Sequence, residues 1–425
     1  MSSAAPDGND QIGKPLDERR VDAGPVSVHN QMVNRIHAHR KPIRVLLVAN
    51  YEPDGQESML RYASWLERTL NSHGYSVTVA RPQPFFSSSV QTPVLRKYLG
   101  YFDKFLLFPW HLRGLANAHD LVHIADHSNS MYLRTVRKKP NLITCHDLIG
   151  VRGARGDFPL SRTGWTGGIL QRWILSCLRG ARNVLCVSRK TADDLRALTS
   201  GNGAAKTEAQ LRVVYNALNW SFKPGAALSA GLISRLGLRP DEQYMLHVGG
   251  NHWYKNRAGV VRIFAQLAGM EEFSGVKLVL AGQPWTRDLR NLIGEEKLSD
   301  LTIEALDVTN PELEALYGNA LALLFPSIEE GFGWPILEAQ ACGCPVITNR
   351  RPPMSEVAGK GAILIDPSDI EASASTILLG LKDRERLRAE GFRNLERFDP
   401  EAIAEQYFAF YDYILGLAQE AVPNS

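Results

Sequence analysis

Two doubly wound α/β units in series, facing each other across a cleft, are what the sequence predicts. Three observations lead there. Short, mostly apolar runs of strand length recur along the 425-residue chain. Segments with helical spacing separate them. The pattern pauses once near the middle and restarts. Apolar strands alternating with helices belong to a parallel sheet covered on both faces. The length is natural for two domains of roughly 150–200 residues each.

Residues 1–41 are polar, contain Gly and Pro, and lack periodicity, so they are expected to be a disordered tail with His37 and His39 solvated. From Ile43 the pattern is regular. The run IRVLLVA (43–49) is the first strand. The segment 57–74 has helical spacing in Met59, Tyr62, Ala63, Leu66 and Leu70, with Gly74 at its end. Strands follow at 75–80, 121–125, 141–145, 183–187 and 211–215, with helices near 129–138, 165–181 and 189–198. The stretch 219–243 has little strand character and reads as a connection. Strands resume at 244–250, 276–282, 301–305, 321–326, 345–348 and 362–365. The last helix, 401–418, follows Pro400, is rich in aromatics, and has no strand after it; it is expected to pack back across the molecule. The expected division is therefore a tail over 1–41, a first unit over 42–220, a linker over 221–240, a second unit over 241–398 and a returning helix over 399–418.

Charge divides with the units. Residues 1–220 carry 29 Lys and Arg against 17 Asp and Glu; the remainder carries 19 against 28, within a total of +3. Nucleic acid, an anionic membrane or an uneven solvated surface would each suit the basic half. Five cysteines, none in a C-x-x-C pair, suggest buried thiols in a reducing compartment, with Cys342 and Cys344 as packing residues of a helix-to-strand turn. MSSAAPDGND has no apolar signal core, and no run approaches the ~20 apolar residues of a spanning helix. The expected location is cytoplasmic, at most peripheral on the inner face of a membrane.

In open α/β sheets ligands bind beyond the carboxyl ends of strands. After the first strand, Asp54-Gly55 makes either an anion-binding turn or a plain connection. His146 and Asp147 follow another strand. His119, His123 and His127 recur every four residues, but His123 is inside a strand, so no metal ligand set is expected. After the first strand of the second unit comes VGGNHWYKNRAG (248–259). Gly249 and Gly250 allow close backbone approach. Lys255 is expected to open the next helix, where its charge opposes the helix dipole and calls for an anion such as phosphate. Arg257 is a second cation or a surface residue. In FPSIEEGFGWPILEAQACGCPVIT (325–348), Trp334-Pro335 starts a helix, and the amides near Gly331, Phe332, Gly333 and Trp334 point at an anion. Glu330 before the helix and Glu338 about one turn into it suit hydroxyls at opposite ends of an elongated ligand. Hydroxyls at each end with a diphosphate between describe a nucleotide sugar. The structural alternative is a capping acid and a surface acid on a core helix.

This stretch closely resembles the E-x7-E signature of the retaining glycosyltransferases of family four, which have the GT-B fold: two Rossmann-like domains facing across a cleft. CVSRKTADDL (186–195), VVYNALN (213–219), AGQPW (281–285) and PPMSEVAGKGAILIDP (352–367) resemble further family blocks in family order. The resemblance implies that Glu338 holds the nucleotide ribose and Glu330 faces the donor sugar. It implies that the backbone at Phe332, Gly333 and Trp334 meets the donor, Lys255 binds its diphosphate, His146 lies near the sugar, and Gly55 belongs to the first-strand glycine loop. It implies a hexosyltransferase acting with retention and without a protein nucleophile, no cofactor beyond the donor substrate, no metal, and a glycan or lipid-linked acceptor in surface polysaccharide synthesis. Two departures stand out. Gly250 and Asn251 occupy the region where the family commonly has an Arg, and the first-strand loop has one glycine where many members have two.

Segments 94–114 and 164–182 mix cations with large apolar residues. In the basic half they suit an anionic membrane bearing the acceptor or ordinary packing on the core, the core helix being the preferred reading for the second. A nucleotide-sugar epimerase, a hydrolase and a non-catalytic sugar-nucleotide-binding partner are the rival readings. No nucleic-acid-reading motif is present, so nucleic acid is not an expected partner.

Overall fold

The computed structural model describes residues 41–86, 92–161, 163–200, 210–218, 220–239 and 241–416. The tail expected over 1–41 lies, up to residue 40, outside the described residues, as do 417 and 418 of the last helix.

Two six-stranded parallel sheets organise the unit that begins at Ile43. The first contains β1 (Arg44–Val48), β2 (Ser76–Ala80), β3 (Leu121–Ile124), β4 (Asn141–Cys145), β5 (Val184–Cys186) and β6 (Leu211–Val213), in the order β2-β1-β3-β4-β5-β6. The second contains β7 (Tyr244–Val248), β8 (Lys277–Ala281), β9 (Thr302–Ala305), β10 (Ala322–Phe325), β11 (Val346–Asn349) and β12 (Ala362–Ile365), in the order β12-β11-β10-β7-β8-β9. Each sheet reverses direction once. From β1 the chain goes outward to β2 and returns to β3 on the other side; from β7 it goes outward through β8 and β9 and returns to β10. Crevices open at such reversals, beyond the carboxyl ends of the strands.

The central strands are buried on both faces, and their alternating side chains enter different cores. In β1, Leu46 and Val48 join Leu112, Ile143 and Leu178 on one face, while Val45 and Leu47 join Tyr62, Leu66 and Leu142 on the other. Full burial of each such aliphatic side chain contributes roughly 1.5–3 kcal/mol relative to exposure. The core containing Val45 and Leu47 continues into the second sheet through Leu246, Leu323 and Phe332. The outer face of the second sheet packs Met245, Leu278 and Leu280 on Phe264 and Ile377.

Further contacts tie the two sheets. The Pro400–Leu415 helix is capped by Asp399, whose carboxylate accepts from the Ala402 amide. Its Tyr407 hydroxyl is 2.9 Å from that of Tyr62, and its Tyr411 hydroxyl is 2.6 Å from His123 Nδ1 in β3. Arg152 donates to Glu329 at 3.1 Å and to Asp194 at 3.2 Å. The Glu356 carboxylate accepts from the amides of Arg189 and Lys190, at the positive end of the Arg189–Thr199 helix.

The connecting stretch contains the Ala230–Leu236 helix, with Leu232 and Leu236 buried. Segment 94–114 forms most of a continuous helical rod. The Pro93–Phe102 and Phe108–Asn117 helices are joined by a π-helical turn, Asp103–Leu107. Phe108 and Leu112 face the core, while Tyr98, Leu106 and Trp110 are exposed. The Trp165–Arg179 helix buries Ile174, Leu175, Cys177 and Leu178 and exposes Trp165 and Ile169 at its start. No described helix is long and apolar enough to cross a membrane. All five cysteines are buried and free.

Candidate functional site

The Trp334–Ala341 helix begins at the exit of β10, beside the direction reversal of the second sheet. Gly333 precedes it at φ 103°, in the left-handed region where other residues are strained. Phe332 is buried against Tyr215, Trp334 and Phe398, and the Trp334 indole donates to the Ala217 carbonyl at 3.0 Å. These two side chains anchor the turn. Glu338, one turn into the helix, is buried, and its Oε2 accepts from the Tyr317 hydroxyl at 2.9 Å. Burial pushes the Glu338 carboxyl up, opposed by the Tyr317 hydrogen bond and by the charges of Arg61 and Lys255. Its Oε1 has no hydrogen-bond partner among the described residues.

Lys255 comes from the exit of β7. Its place differs from the sequence expectation. It ends a short 3₁₀ turn, Trp253–Lys255, and the helix opens two residues later at Arg257. Asn256 separates them at φ 56°, and its side chain caps the helix by accepting from the Gly259 amide. Freed from the helix, Lys255 reaches Glu330: Nζ to Oε1 is 2.7 Å. Its ammonium also lies 5.3 Å from the centre of the Phe325 ring. Gly249 and Gly250 lie beside them; a Cβ on Gly249 would stand 3.6 Å from that of Lys255, and one on Gly250 3.0 Å from Gln283 Oε1. Arg257 is buried rather than on the surface.

The first sheet supplies the opposite wall. His146, at the exit of β4, is buried, with Nε2 2.9 Å from the Ala125 carbonyl and Nδ1 unpartnered. Burial lowers its pKa, so the ring is neutral and its bond to the carbonyl makes Nε2 the protonated nitrogen, with Nδ1 left as an acceptor. The two walls touch at Gly331. A Cβ there would lie 2.0 Å from the His146 carbonyl oxygen, so only glycine fits without movement. Ser188 donates to the Gly331 carbonyl at 2.8 Å. Tyr254 senses both walls, because burial first, then the charges of Glu330 and Asp147, raise its phenol pKa.

Behind His146 lies a group that the sequence reading did not assemble. Asp126, at the exit of β3, accepts from Asn50 and from the Ser128 amide and hydroxyl, and pairs with His127 at 2.9 Å. Burial alone would lower His127, but the charges of Asp126 and Asp147 more than reverse this and lift it to about 9. Burial would likewise raise Asp126; the charge and hydrogen bond of His127 and the bond from Ser128 instead hold it well below the usual carboxylate range. The rule that selected His146, a polar residue directly after a strand, also points to His127 at the end of its strand, but Asp126 beside it was missed. Gly55 ends the turn after β1 at φ 65°, and a Cβ there would meet nothing within 4 Å. It shapes the loop without touching the groups around Glu330. His119, His123 and His127 have separate surroundings, and among the described residues no group of three or more His, Cys, Asp and Glu side chains is placed to hold a metal.

Known proteins share both halves of this arrangement. The family model for glycosyl transferases group 1 matches residues 232–393, and that for glycosyltransferase family 4 matches residues 59–219. This chain belongs to glycosyltransferase family 4. Its similarity to O-antigen chain mannosyltransferase B of Escherichia coli is 33% identity over 173 residues, 40% of this chain and 45% of that protein. With the O-antigen chain mannosyltransferase RfbU of Salmonella typhimurium it is 28% over 239 residues, 56% and 57% of the two chains. The matched parts thus span about half the length of these relatives. Among solved structures, sucrose-phosphate synthase from Thermosynechococcus elongatus superposes with a TM-score of 0.69 at 20% identity, covering 88% of this chain and all of that one. HepE of Anabaena, in complex with UDP and glucose, gives 0.64 at 16% identity over 86% of this chain and 98% of that one. The fold of this family 4 member is therefore GT-B.

Proposed function

We propose that the protein is a retaining hexosyltransferase that moves a sugar from a nucleoside-diphosphate sugar to a glycan or lipid-linked acceptor in surface polysaccharide assembly. The observation that carries this reading is the Lys255–Glu330 pair at the exits of β7 and β10, with Glu338 one helical turn beyond and His146 across the Gly331 contact. A cation, helix-end amides and two carboxylates in that order match a diphosphate flanked by two sets of hydroxyls. The O-antigen mannosyltransferases among its relatives support a hexosyl donor and a polysaccharide acceptor.

In the proposed reaction the bond from the anomeric carbon to the diphosphate oxygen breaks. The acceptor oxygen bonds to the same face of that carbon, and its proton passes to the departing diphosphate. Lys255 and the amides ahead of Trp334 stabilise the charge that grows on the leaving group, which is electrostatic catalysis by preorganised donors. Glu338 holds the ribose and Glu330 the donor sugar. His146 presents Nδ1 as an acceptor to a sugar hydroxyl. These fixed cationic groups would serve without a metal or a further cofactor. The exposed Tyr98, Leu106, Trp110 and Trp165 of the basic half support a peripheral seat on an anionic, cytoplasmic membrane face where a lipid-linked acceptor is presented.

Thermal shift against UDP, GDP and ADP and their sugars, with and without EDTA, tests the reading. Stabilisation by one nucleotide that EDTA leaves unchanged is expected, followed by transfer from its sugar to an acceptor glycan. Stabilisation without transfer would favour a non-catalytic partner. No shift with any nucleotide would sink the donor-site assignment.

A further inference from the structure

Arg257 begins a twelve-residue helix, Arg257–Ala268, where the helix dipole is positive and a cation is disfavoured. It is only 6% exposed. Its Nη1 donates to Asn251 Oδ1 at 2.6 Å and to the Gln283 carbonyl at 2.9 Å, while Nε and Nη2 are buried with no partner among the described residues. Glu304 acts on it only at long range; none of the ion pairs among the described residues includes it. A buried guanidinium with two free N–H-bearing nitrogens and no acid in contact is unfavourable unless an anion compensates it.

The surroundings indicate where that anion would sit. Asn251 and Gln283 belong to the loops leaving β7 and β8, and Gln283 Oε1 accepts from the Asn251 amide at 2.9 Å. The turn is tight: a Cβ on Gly249 would stand 3.0 Å from His247 Nε2, and one on Gly250 3.0 Å from Gln283 Oε1. Beneath Gly249, His247 is wholly buried, bonds Leu324 through Nδ1, and leaves Nε2 without a partner. Burial pushes His247 down to about 3, so it adds no charge of its own. The Gly249–Asn251 turn therefore has two cations beside it. Lys255 is committed to Glu330; Arg257 is committed to nothing charged.

We infer that Arg257 is the second cation of the diphosphate site, a positioning residue that holds the Asn251 and Gln283 loops and offers its positive charge to a phosphate group seated over Gly249 and Gly250. The inference rests on the donor-site reading above and specifies how this chain completes that site although Gly250 and Asn251 supply no cation.

The test is titration of wild type, Arg257→Met and Arg257→Lys with UDP, GDP and ADP and with the matching nucleosides uridine, guanosine and adenosine. For the base that wild type selects, Arg257→Met is expected to weaken the diphosphate by about tenfold or more and the nucleoside by less than about twofold, with Arg257→Lys restoring most of the loss. Unchanged diphosphate affinity, or an equal loss for the nucleoside, would overturn the inference. Should the Met variant fail to fold, hydrogen exchange on wild type decides: the diphosphate must protect residues 249–257 more than the nucleoside does, and equal protection would overturn it. A loss in Lys255→Ala with none in Arg257→Met leaves the donor site standing and removes only this inference. A wild type that binds no nucleotide removes both.

Discussion

Lys255 Nζ stands 2.7 Å from Glu330 Oε1, joining the exit of β7 to the exit of β10 where the second sheet reverses direction. The two groups have opposite needs. The ammonium is suited to phosphate and the carboxylate to hydroxyls, so a nucleotide sugar would have to divide them between its diphosphate and its sugar. Removing one partner of a part-buried pair leaves the other uncompensated. Glu330→Gln is therefore expected to keep or tighten nucleoside-diphosphate affinity, because Lys255 is released to the phosphate. Transfer should fall by about 10²-fold, the scale of losing one fixed electrostatic contact in a transition state. Binding titration and an initial-rate assay measure the two effects separately. Wild-type transfer in this variant would contradict the role given to Glu330.

Glu338 should behave in the opposite way. Its carboxylate is oriented by the Tyr317 hydroxyl at 2.9 Å, and Oε1 has no hydrogen-bond partner among the described residues. Hydrogen bonds to a charged acceptor contribute roughly 1.5–3 kcal/mol each. Glu338→Ala is expected to weaken nucleotide binding by about tenfold or more. Tyr317→Phe keeps the carboxylate but lets it rotate, and a smaller loss of about threefold is expected. If Glu338→Ala binds nucleotide as wild type does, the ribose assignment is wrong.

The sheets were legible because strands buried on both faces are apolar along their whole length. IRVLLVA and LALLFP announce themselves, and β1 and β10 lie inside those runs. Polar residues after strands stand out by the same logic, which is how His146 and Lys255 became candidates. What the sequence hid was pairing at a distance. Tyr317 reads as one aromatic in a helix until Glu338 is seen 21 positions away. Arg257 reads as surface because it follows Lys255 and Asn256 in a polar run, yet the αL turn at Asn256 starts the helix so that Arg257 is buried. The Ala230–Leu236 helix was obscured by a seven-residue length too short for periodicity to register.

Gly331 makes a steric prediction. Its glycine neighbours suggest ligand approach, but what presses on it is backbone at the exit of β4, since an added Cβ would meet the His146 carbonyl oxygen at 2.0 Å and Asp147 Cβ at 2.9 Å. Backbone atoms cannot rotate away, so Gly331→Ala must part the two walls. A cost of about 1–3 kcal/mol is expected, with transfer falling more than nucleotide affinity, because Lys255 and Glu338, the residues proposed to bind the nucleotide, both lie on the second sheet's side, whereas His146, proposed to meet the sugar, lies on the other wall. Gly55→Ala is the control. It meets no atom within 4 Å and bears only the strain of φ 65°, so about 1 kcal/mol and near-normal transfer are expected. Equal losses of transfer in both variants would show that the Gly331 contact has no special place in catalysis.

Stability should fall on both sides of neutrality, for different histidines. His123 and His247 are pushed down to about 3, mainly by burial, and stay neutral in the fold. Below their ordinary value of about 6.5 the unfolded chain takes up protons that the folded chain refuses, so their contribution is present above 6.5 and is lost as pH falls from there towards 3. Each such group steepens the acid side by about 1.4 kcal/mol per pH unit at most. His127 has the opposite sign. Held at about 9 by Asp126 and Asp147, with neutral His146 beside it, it favours the fold fully below about 6.5 and loses that contribution as pH rises through 9. Urea unfolding across pH 4–10 should therefore show His127→Gln with a flatter alkaline limb between 6.5 and 9. An alkaline limb as steep as that of wild type would mean that His127 is not held as an imidazolium between those two carboxylates.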